Sequence, residues 1–169
     1  KIMDKKNLLK LLNDTEENDT GSSEGTRTLL IDGLNLFFRN FAMMNMVNPS
    51  GIHIGGLGGF FRSLGAEIRR TQPDQVYVVF DGAGSTTNRK NILSEYKSGR
   101  EDQRVTNWEV FDSLDDEHDS KVDQIVRVIH YLKTLPVKTV ILDKVEADDI
   151  IAYLCNKLPN HPDDKLFIV

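Results

Sequence analysis

The sequence predicts an α/β fold built on a mainly parallel sheet with right-handed crossovers, and three observations predict it. Short apolar runs too brief for helices alternate with longer segments whose apolar residues recur at helical spacing. Two of the runs, Leu29-Leu30-Ile31 and Val78-Val79-Phe80, end in Asp-Gly, a pair that turns the chain sharply out of a strand. A third acidic signature, Val145-Glu146-Ala147-Asp148-Asp149-Ile150-Ile151, follows another apolar run and opens a helical pattern. Ligands of such sheets bind outside the carboxyl ends of the strands; Asp32 and Asp81 fall at two such ends and Glu146 just beyond a third.

The elements follow in order. Residues 4–12, with Leu8, Leu9, Leu11 and Leu12, suggest a short amphipathic helix. Residues 13–26 are too polar to bury anything and read as a disordered tether, so that 1–26 precede a compact domain of 27–169. Thr28–Ile31 is the first strand, and a helix through Phe37, Phe38 and Phe41 is broken by Asn48-Pro49-Ser50-Gly51. Ile54, Leu57, Phe61, Leu64 and Ile68 mark a second helix, ended by Gln72-Pro73-Asp74. Its glycines, Gly55, Gly56, Gly58, Gly59 and Gly65, each cost a helix roughly 0.5–1 kcal/mol relative to alanine and signal close approach of another backbone, of protein or of ligand. Gln75–Phe80 is the second strand. Residues 84–120 hold too few apolar side chains for a core element and form a surface excursion, within which Asp115, Asp116, Glu117 and Asp119 read as a solvated loop. Val122, Ile125, Val126, Ile129 and Leu132 restore helical periodicity up to Leu135-Pro136. Lys138–Leu142 is the third strand, Ala147–Leu158 a helix, and Lys165–Val169 the fourth strand.

At 169 residues the chain suits one core of modest size. Its single cysteine, Cys155, permits no internal disulfide and fits a reducing cytoplasm. No uninterrupted apolar stretch approaches the ~20 residues that span a bilayer, and the first residues show no signal-peptide core, so membrane insertion and secretion are not expected. The formal net charge of -5 argues against coating nucleic acid by bulk electrostatics, yet it leaves room for a local basic patch.

Asp32 and Asp81, each taken alone, read equally well as helix N-caps or turn residues. Glu146, Asp148 and Asp149 stand at a helix start, where the dipole favours one or two acids but does not account for the whole set. Carboxylates gathered at one sheet edge repel one another unless a hard divalent cation sits among them. With no His or Cys at ligand spacing nearby, the expected ion is Mg²⁺ or Mn²⁺. Mg²⁺ takes one or two carboxylates directly and keeps several waters, so many carboxylates suggest two ions, about 4 Å apart, and phosphodiester hydrolysis. The four histidines share no spacing, and no catalytic imidazole is expected.

These residues resemble the 5′ nuclease superfamily of flap endonucleases and 5′-3′ exonucleases, with a PIN-like fold. The matching pieces are residues 29–39 (Leu-Leu-Ile-Asp-Gly-Leu-Asn-Leu-Phe-Phe-Arg), Val79-Phe80-Asp81-Gly82, the stretch from Arg89 to Arg100 ending Glu-Tyr-Lys-Ser-Gly-Arg, and residues 145–152. They stand in the family's order, and the length and polarity of the 84–120 excursion resemble those of bacteriophage members. The resemblance implies a three-layer fold with an inserted helical arch at about 84–120, through which a 5′ single strand passes. It implies that Asp32, Asp81, Glu146, Asp148 and Asp149 contribute to a two-metal centre, with Lys97 and Arg100 directed at the scissile phosphate and Arg89 a further phosphate contact. The residues themselves agree in sign, because Arg89, Lys90, Lys97 and Arg100 face the single acid Glu95 within that stretch. A solvated surface helix is the bland alternative. Phe38 and Tyr96 are candidates to stack on terminal bases, with core packing an equal reading for Phe38, and Arg39 completes the candidate nucleic-acid contacts.

Family members continue beyond the fourth strand with further acids, so the resemblance implies the N-terminal portion of the domain, lacking the C-terminal part of the fold, binding Mg²⁺ weakly and cleaving poorly or not at all when alone. The implied activity is removal of 5′ flaps or RNA primers in replication, on flap DNA or RNA-DNA hybrid, by a monomer in a bacterial or phage-infected cell. A non-catalytic nucleic-acid-binding fragment and a PIN-type ribonuclease are the rival readings.

Overall fold

The computed structural model describes residues 2–3, 5–7, 9–10, 25–85 and 105–169. Its strands are β1 (Ile2–Met3), β2 (Arg27–Asp32), β3 (Gln75–Asp81), β4 (Lys138–Leu142) and β5 (Lys165–Ile168). The helices are α1 (Gly33–Met43), α2 (Gly55–Thr71), α3 (Leu114–Leu132) and α4 (Ala147–Lys157). All strand pairs are parallel, in the order β1-β4-β3-β2-β5.

Helices cover both faces, which is why β2 and β3 are apolar almost throughout rather than alternating. Leu29 and Ile31 of β2 and Val76, Val78 and Phe80 of β3 face α1, α2 and α3 in one core. The intervening Leu30, Tyr77 and Val79 face α4 in a second core with Ile150, Ile151 and Leu154. The result is the three-layer α/β/α arrangement expected. The chain leaves β3 toward the first face and β4 toward the second, and such a divergence opens a crevice at the carboxyl edge of a parallel sheet.

Three expectations require correction. The sheet does not begin at Arg27, because Ile2 and Met3 add an edge strand in register with Thr139 and Val140 of β4. Residues 5–7 and 9–10 are helical, as expected, while 11–24 lie outside the described residues. The excursion does not run to Ser120, because α3 starts at Leu114. Asp115, Asp116 and Glu117 therefore form the first turn of a helix, not a solvated loop, and Ser113 caps it: its hydroxyl accepts from the Asp116 N–H at 3.1 Å and donates to the Asp116 carboxylate at 2.7 Å. The first bond is an ordinary N-cap, and the second joins the two side chains. The described part of the expected arch, residues 105–113, is irregular chain, and 86–104 lie outside the described residues.

The glycines of α2 serve protein packing. A Cβ built on Gly59 would lie 2.7 Å from Cβ of Asn40, so α1 and α2 approach closely only because that position carries none. Their start is braced by Gln124 of α3, whose Oε1 accepts from Leu57 N–H at 2.9 Å and whose Nε2 donates to the His53 carbonyl at 3.0 Å. His53 is buried, with Nε2 3.0 Å from the Met44 carbonyl and Nδ1 3.4 Å from Gln124 Nε2, an arrangement that suits the neutral ring with its proton on Nε2.

Gly59→Val should reduce unfolding free energy by about 1–3 kcal/mol in urea titration, the ordinary penalty of overpacking. Burial lowers the His53 pKa below its usual 6.5, despite the Met44 carbonyl and Glu117 acting in the opposite direction. The unfolded chain therefore takes up this proton first, so His53's contribution is whole above about 6.5 and lost as pH falls through the lower folded value. Thermal unfolding of wild type and His53→Gln across pH 7 to 5 checks this: the difference between them should shrink as pH falls.

Candidate metal centre at the carboxyl edge of the sheet

Asp32 is the last residue of β2 and the N-cap of α1; its Oδ1 accepts from the Asn35 N–H at 2.9 Å. The N-cap reading is correct, and it does not remove Asp32 from the acidic edge. Burial raises its pKa above the usual carboxylate value against the lowering effect of the Asn35 hydrogen bond, and the like charges of Asp148 and then Asp81 raise it further. Residues from β2, β3 and α4, far apart in sequence, are thus close enough in space to repel one another.

Asp81 is tied directly to the third signature. Its Oδ1 accepts from the Ala147 N–H at 2.7 Å, the first turn of α4. Glu146, the N-cap residue of that helix, makes no side-chain cap bond, and the strand-end carboxylate of β3 satisfies a first-turn N–H that has no partner within the helix. Backbone bonds reinforce the junction, Gly82 N–H to the Val145 carbonyl at 3.1 Å and Lys144 N–H to the Ala83 carbonyl at 2.9 Å. Gly82 is obligatory there, since a Cβ would run into the Leu142 carbonyl. Glu146 is buried, only 4% exposed, whereas Asp148 and Asp149 are exposed in the first turn of α4, where its dipole favours negative charge.

Asp32, Asp81, Glu146 and Asp148 therefore share the carboxyl edge at the β3/β4 crevice. Asp149 adjoins them in sequence and borders a separate apolar groove of about 330 Å³ with Lys5, Leu9 and Tyr153. Among the described residues, no three His, Cys, Asp or Glu side chains stand close enough together to hold a metal ion as they are placed. The donor chemistry nevertheless fits a hard divalent cation: every group is a carboxylate, one is buried, and like-charge repulsion at Asp32 is of the kind a cation relieves. Of the candidate nucleic-acid contacts, Phe38 and Arg39 are exposed on α1. Phe38 is 45% exposed with its ring edge on Phe37, so it is not the core residue that packing alone would make it. Arg89, Lys90, Tyr96, Lys97 and Arg100 lie outside the described residues. The Asp81 bond to α4 had no signal in the sequence, since neither spacing nor composition pairs residues 66 apart.

A three-layer α/β/α domain whose acid-tipped parallel strands converge at one edge is the architecture of a PIN-like nuclease. The chain belongs to the 5′-3′ exonuclease N-terminal resolvase-like family, whose model matches residues 27–169. It is 32% identical over 142 residues to DNA polymerase I of Lactococcus lactis subsp. cremoris, covering 81% of this chain and 14% of that protein. It is also 32% identical over 129 residues to a 5′-3′ exonuclease of Aquifex aeolicus, covering 76% of this chain and 39% of that one. Among solved structures, the T5 D15 protein co-crystallised with metal ions superposes with a TM-score of 0.59 at 22% identity, over 84% of this chain and 48% of that chain. T5 D15 flap endonuclease in a complex with DNA and metal ions gives 0.58 at 20% identity, over 84% and 47%. These two superpositions show the shared fold. The chain thus spans a minor part of the relatives it matches.

Asp32→Asn keeps the cap, since Asn and Asp cap about equally well, and removes one like charge from the edge. Its thermal midpoint at neutral pH without divalent cations should exceed that of wild type by a few degrees. A lower midpoint would mean that the acids are not crowded.

Proposed function

We propose that this chain is part of a structure-selective 5′ nuclease, hydrolysing phosphodiester bonds near the 5′ ends of flap DNA or RNA-DNA hybrid during replication, as a monomer in the cytoplasm. The observation that carries the reading is the placement of Asp32 and Asp81 at the ends of adjacent strands, with Asp81 bonded to the start of the helix that carries Asp148, in a chain of the 5′-3′ exonuclease family. Two facts are consistent with this setting: some relatives are DNA polymerases I, and no helix among the described residues is long and apolar enough to cross a membrane.

In this reading Asp32, Asp81, Glu146, Asp148 and Asp149 hold two divalent cations, Mg²⁺ or Mn²⁺, some through water. Two such ions supply an activated water and stabilise the leaving oxygen of an in-line displacement at phosphorus. The chain's own residues do the rest. The Asp81 carboxylate keeps the first turn of α4 against β3, which holds Glu146 and Asp148 over the crevice. Lys97 and Arg100 neutralise charge on the scissile phosphate, and Arg89 and Lys90 bind phosphates farther along the strand. Phe38 and Tyr96 stack on bases near the 5′ end, and Arg39, beside Phe38 on exposed α1, contacts the backbone.

A second reading, nucleic-acid binding without cleavage, is favoured by one observation: no three metal-capable side chains converge among the described residues. One experiment separates them. Wild type and Asp81→Ala are incubated with a 5′-flap duplex, with Mg²⁺, Mn²⁺ or chelator, while binding is followed in parallel. For a chain that spans a minor part of its relatives, the nuclease reading expects only slow Mg²⁺-dependent release of short products by wild type, lower by at least about 100-fold in Asp81→Ala, a loss on the scale of ~2.7 kcal/mol of barrier. Equal residual cleavage by the two proteins sinks the assigned site, and cation-independent binding without products supports the second reading. Added Mg²⁺ should also raise the thermal midpoint of wild type more than that of Asp32→Asn.

A further inference from the structure

Glu117 is a carboxylate with no exposed surface, a rarity unless the charge is partnered. Its two oxygens accept from one backbone donor, the Thr106 N–H, at 3.0 and 2.9 Å, and Lys121 Nζ lies 3.2 Å from Oε1. Burial would push this carboxyl up, but the Thr106 hydrogen bonds and Lys121 hold it below the usual value, so it is charged and gripping.

What it grips is not held by packing. Thr106 is exposed and rims an open cavity of about 390 Å³ with Phe38, His118 and Lys121. The next residues are fixed to α1: Asn107 Nδ2 donates to the Phe41 carbonyl at 2.6 Å, and Phe111 stacks on Phe41 with centroids 5.8 Å apart and planes at 9°. Lys121 completes the cluster, 5.2 Å from the Phe41 ring centroid. α1 is the helix that begins at Asp32. Burying an ion pair adds little stability beyond what apolar residues of similar volume supply, so a carboxylate here is better explained by its direction than by its energy.

We propose that Glu117 is a positioning residue, its carboxylate fixing the backbone at Thr106 and Asn107 against α1 and so setting where the segment that carries Lys97 and Arg100 joins the folded body. The catalytic consequence rests on the nuclease reading above; the anchoring does not.

The test therefore has two arms, run on the whole chain as wild type, E117Q, E117A and Thr106→Pro, the last removing the donor while leaving the Glu117–Lys121 pair in place. In amide hydrogen exchange, E117A should speed exchange from Thr106 to Phe111 by about tenfold, the scale of one lost charge-assisted hydrogen bond, with β2 and β3 unchanged. Unchanged exchange at Thr106 overturns the anchor whatever the activity. In single-turnover cleavage of a 5′-flap duplex with Mg²⁺, E117A and Thr106→Pro should lose about tenfold or more in rate at saturating DNA while Kd in chelator stays within about twofold, and E117Q should recover most of the rate because its amide oxygen still accepts the Thr106 N–H. Wild-type rate in E117A and Thr106→Pro, or equal losses of rate and affinity, overturns the positioning role. Where wild type releases too little product to compare, the exchange arm alone decides the proposal: unchanged exchange from Thr106 to Phe111 in E117A overturns it, and faster exchange there supports it.

Discussion

The 2.7 Å hydrogen bond from the Ala147 N–H to Asp81 decides where the remaining acids go. A parallel sheet buried on both faces presents chemistry only at its edges, and its carboxyl edge is the one from which the loops diverge. Asp81 stands at that edge because β3 ends there. By taking an N–H of α4 it pins the helix start to the sheet, which brings Glu146 and Asp148 alongside rather than leaving them on a separate surface helix. Asp32 needs no such device, since β2 is the direct neighbour of β3 and Asp32 is in register with Val79.

Each of these acids has a local reason to be where it is, and the set is unfavourable all the same. Asp32 caps α1, Asp81 serves as a cap for α4, and Asp148 and Asp149 lie in a first turn that the helix dipole makes hospitable to negative charge. Capping and dipole effects are each worth about 0.5–2 kcal/mol, enough to hold single carboxylates but not to abolish their mutual repulsion. The pKa of Asp32 is raised first by its burial, and the like charges of Asp148 and Asp81 add to it. Stability alone would be served by fewer acids at this edge.

Legibility from sequence divided along a physical line. β2 and β3 end in Asp-Gly after continuous apolar runs, and α4 opens on Glu-Ala-Asp-Asp before Ile-Ile, so strand ends and the helix start were readable from local pattern alone. The first turns of α3 were not, because their buried residue is Glu117 rather than an apolar one and hydrophobic periodicity is silent there; the Ser113 N-cap was the available signal. β1 is two residues whose only support is pairing with β4, more than a hundred positions later in the chain, which no local pattern encodes. The glycines of α2 announced a close approach correctly but could not name its partner, which proved to be α1 at Asn40. Gln124 and Asn107 were invisible for the same reason, since their partners lie 71 and 66 residues away.

The net charge of -5 and an acid-lined edge would repel a phosphodiester backbone, so a site of this kind needs positive charge from two sources. In the proposed reading, divalent cations at the carboxylates would supply one and Lys and Arg of the 89–100 stretch the other. The chain leaves the sheet after Asp81, and Asn107 and Phe111 return beside α1, whose first turn is capped by Asp32. One end follows directly on Asp81 of β3, and the other is fastened to α3 at Glu117 and to α1 at Phe41. Fixing those ends matters more for a polyanionic substrate than adding further cations would. Misplacement of a charge by about 1 Å is costly for catalysis, whereas bulk attraction is screened beyond about 8 Å at physiological salt.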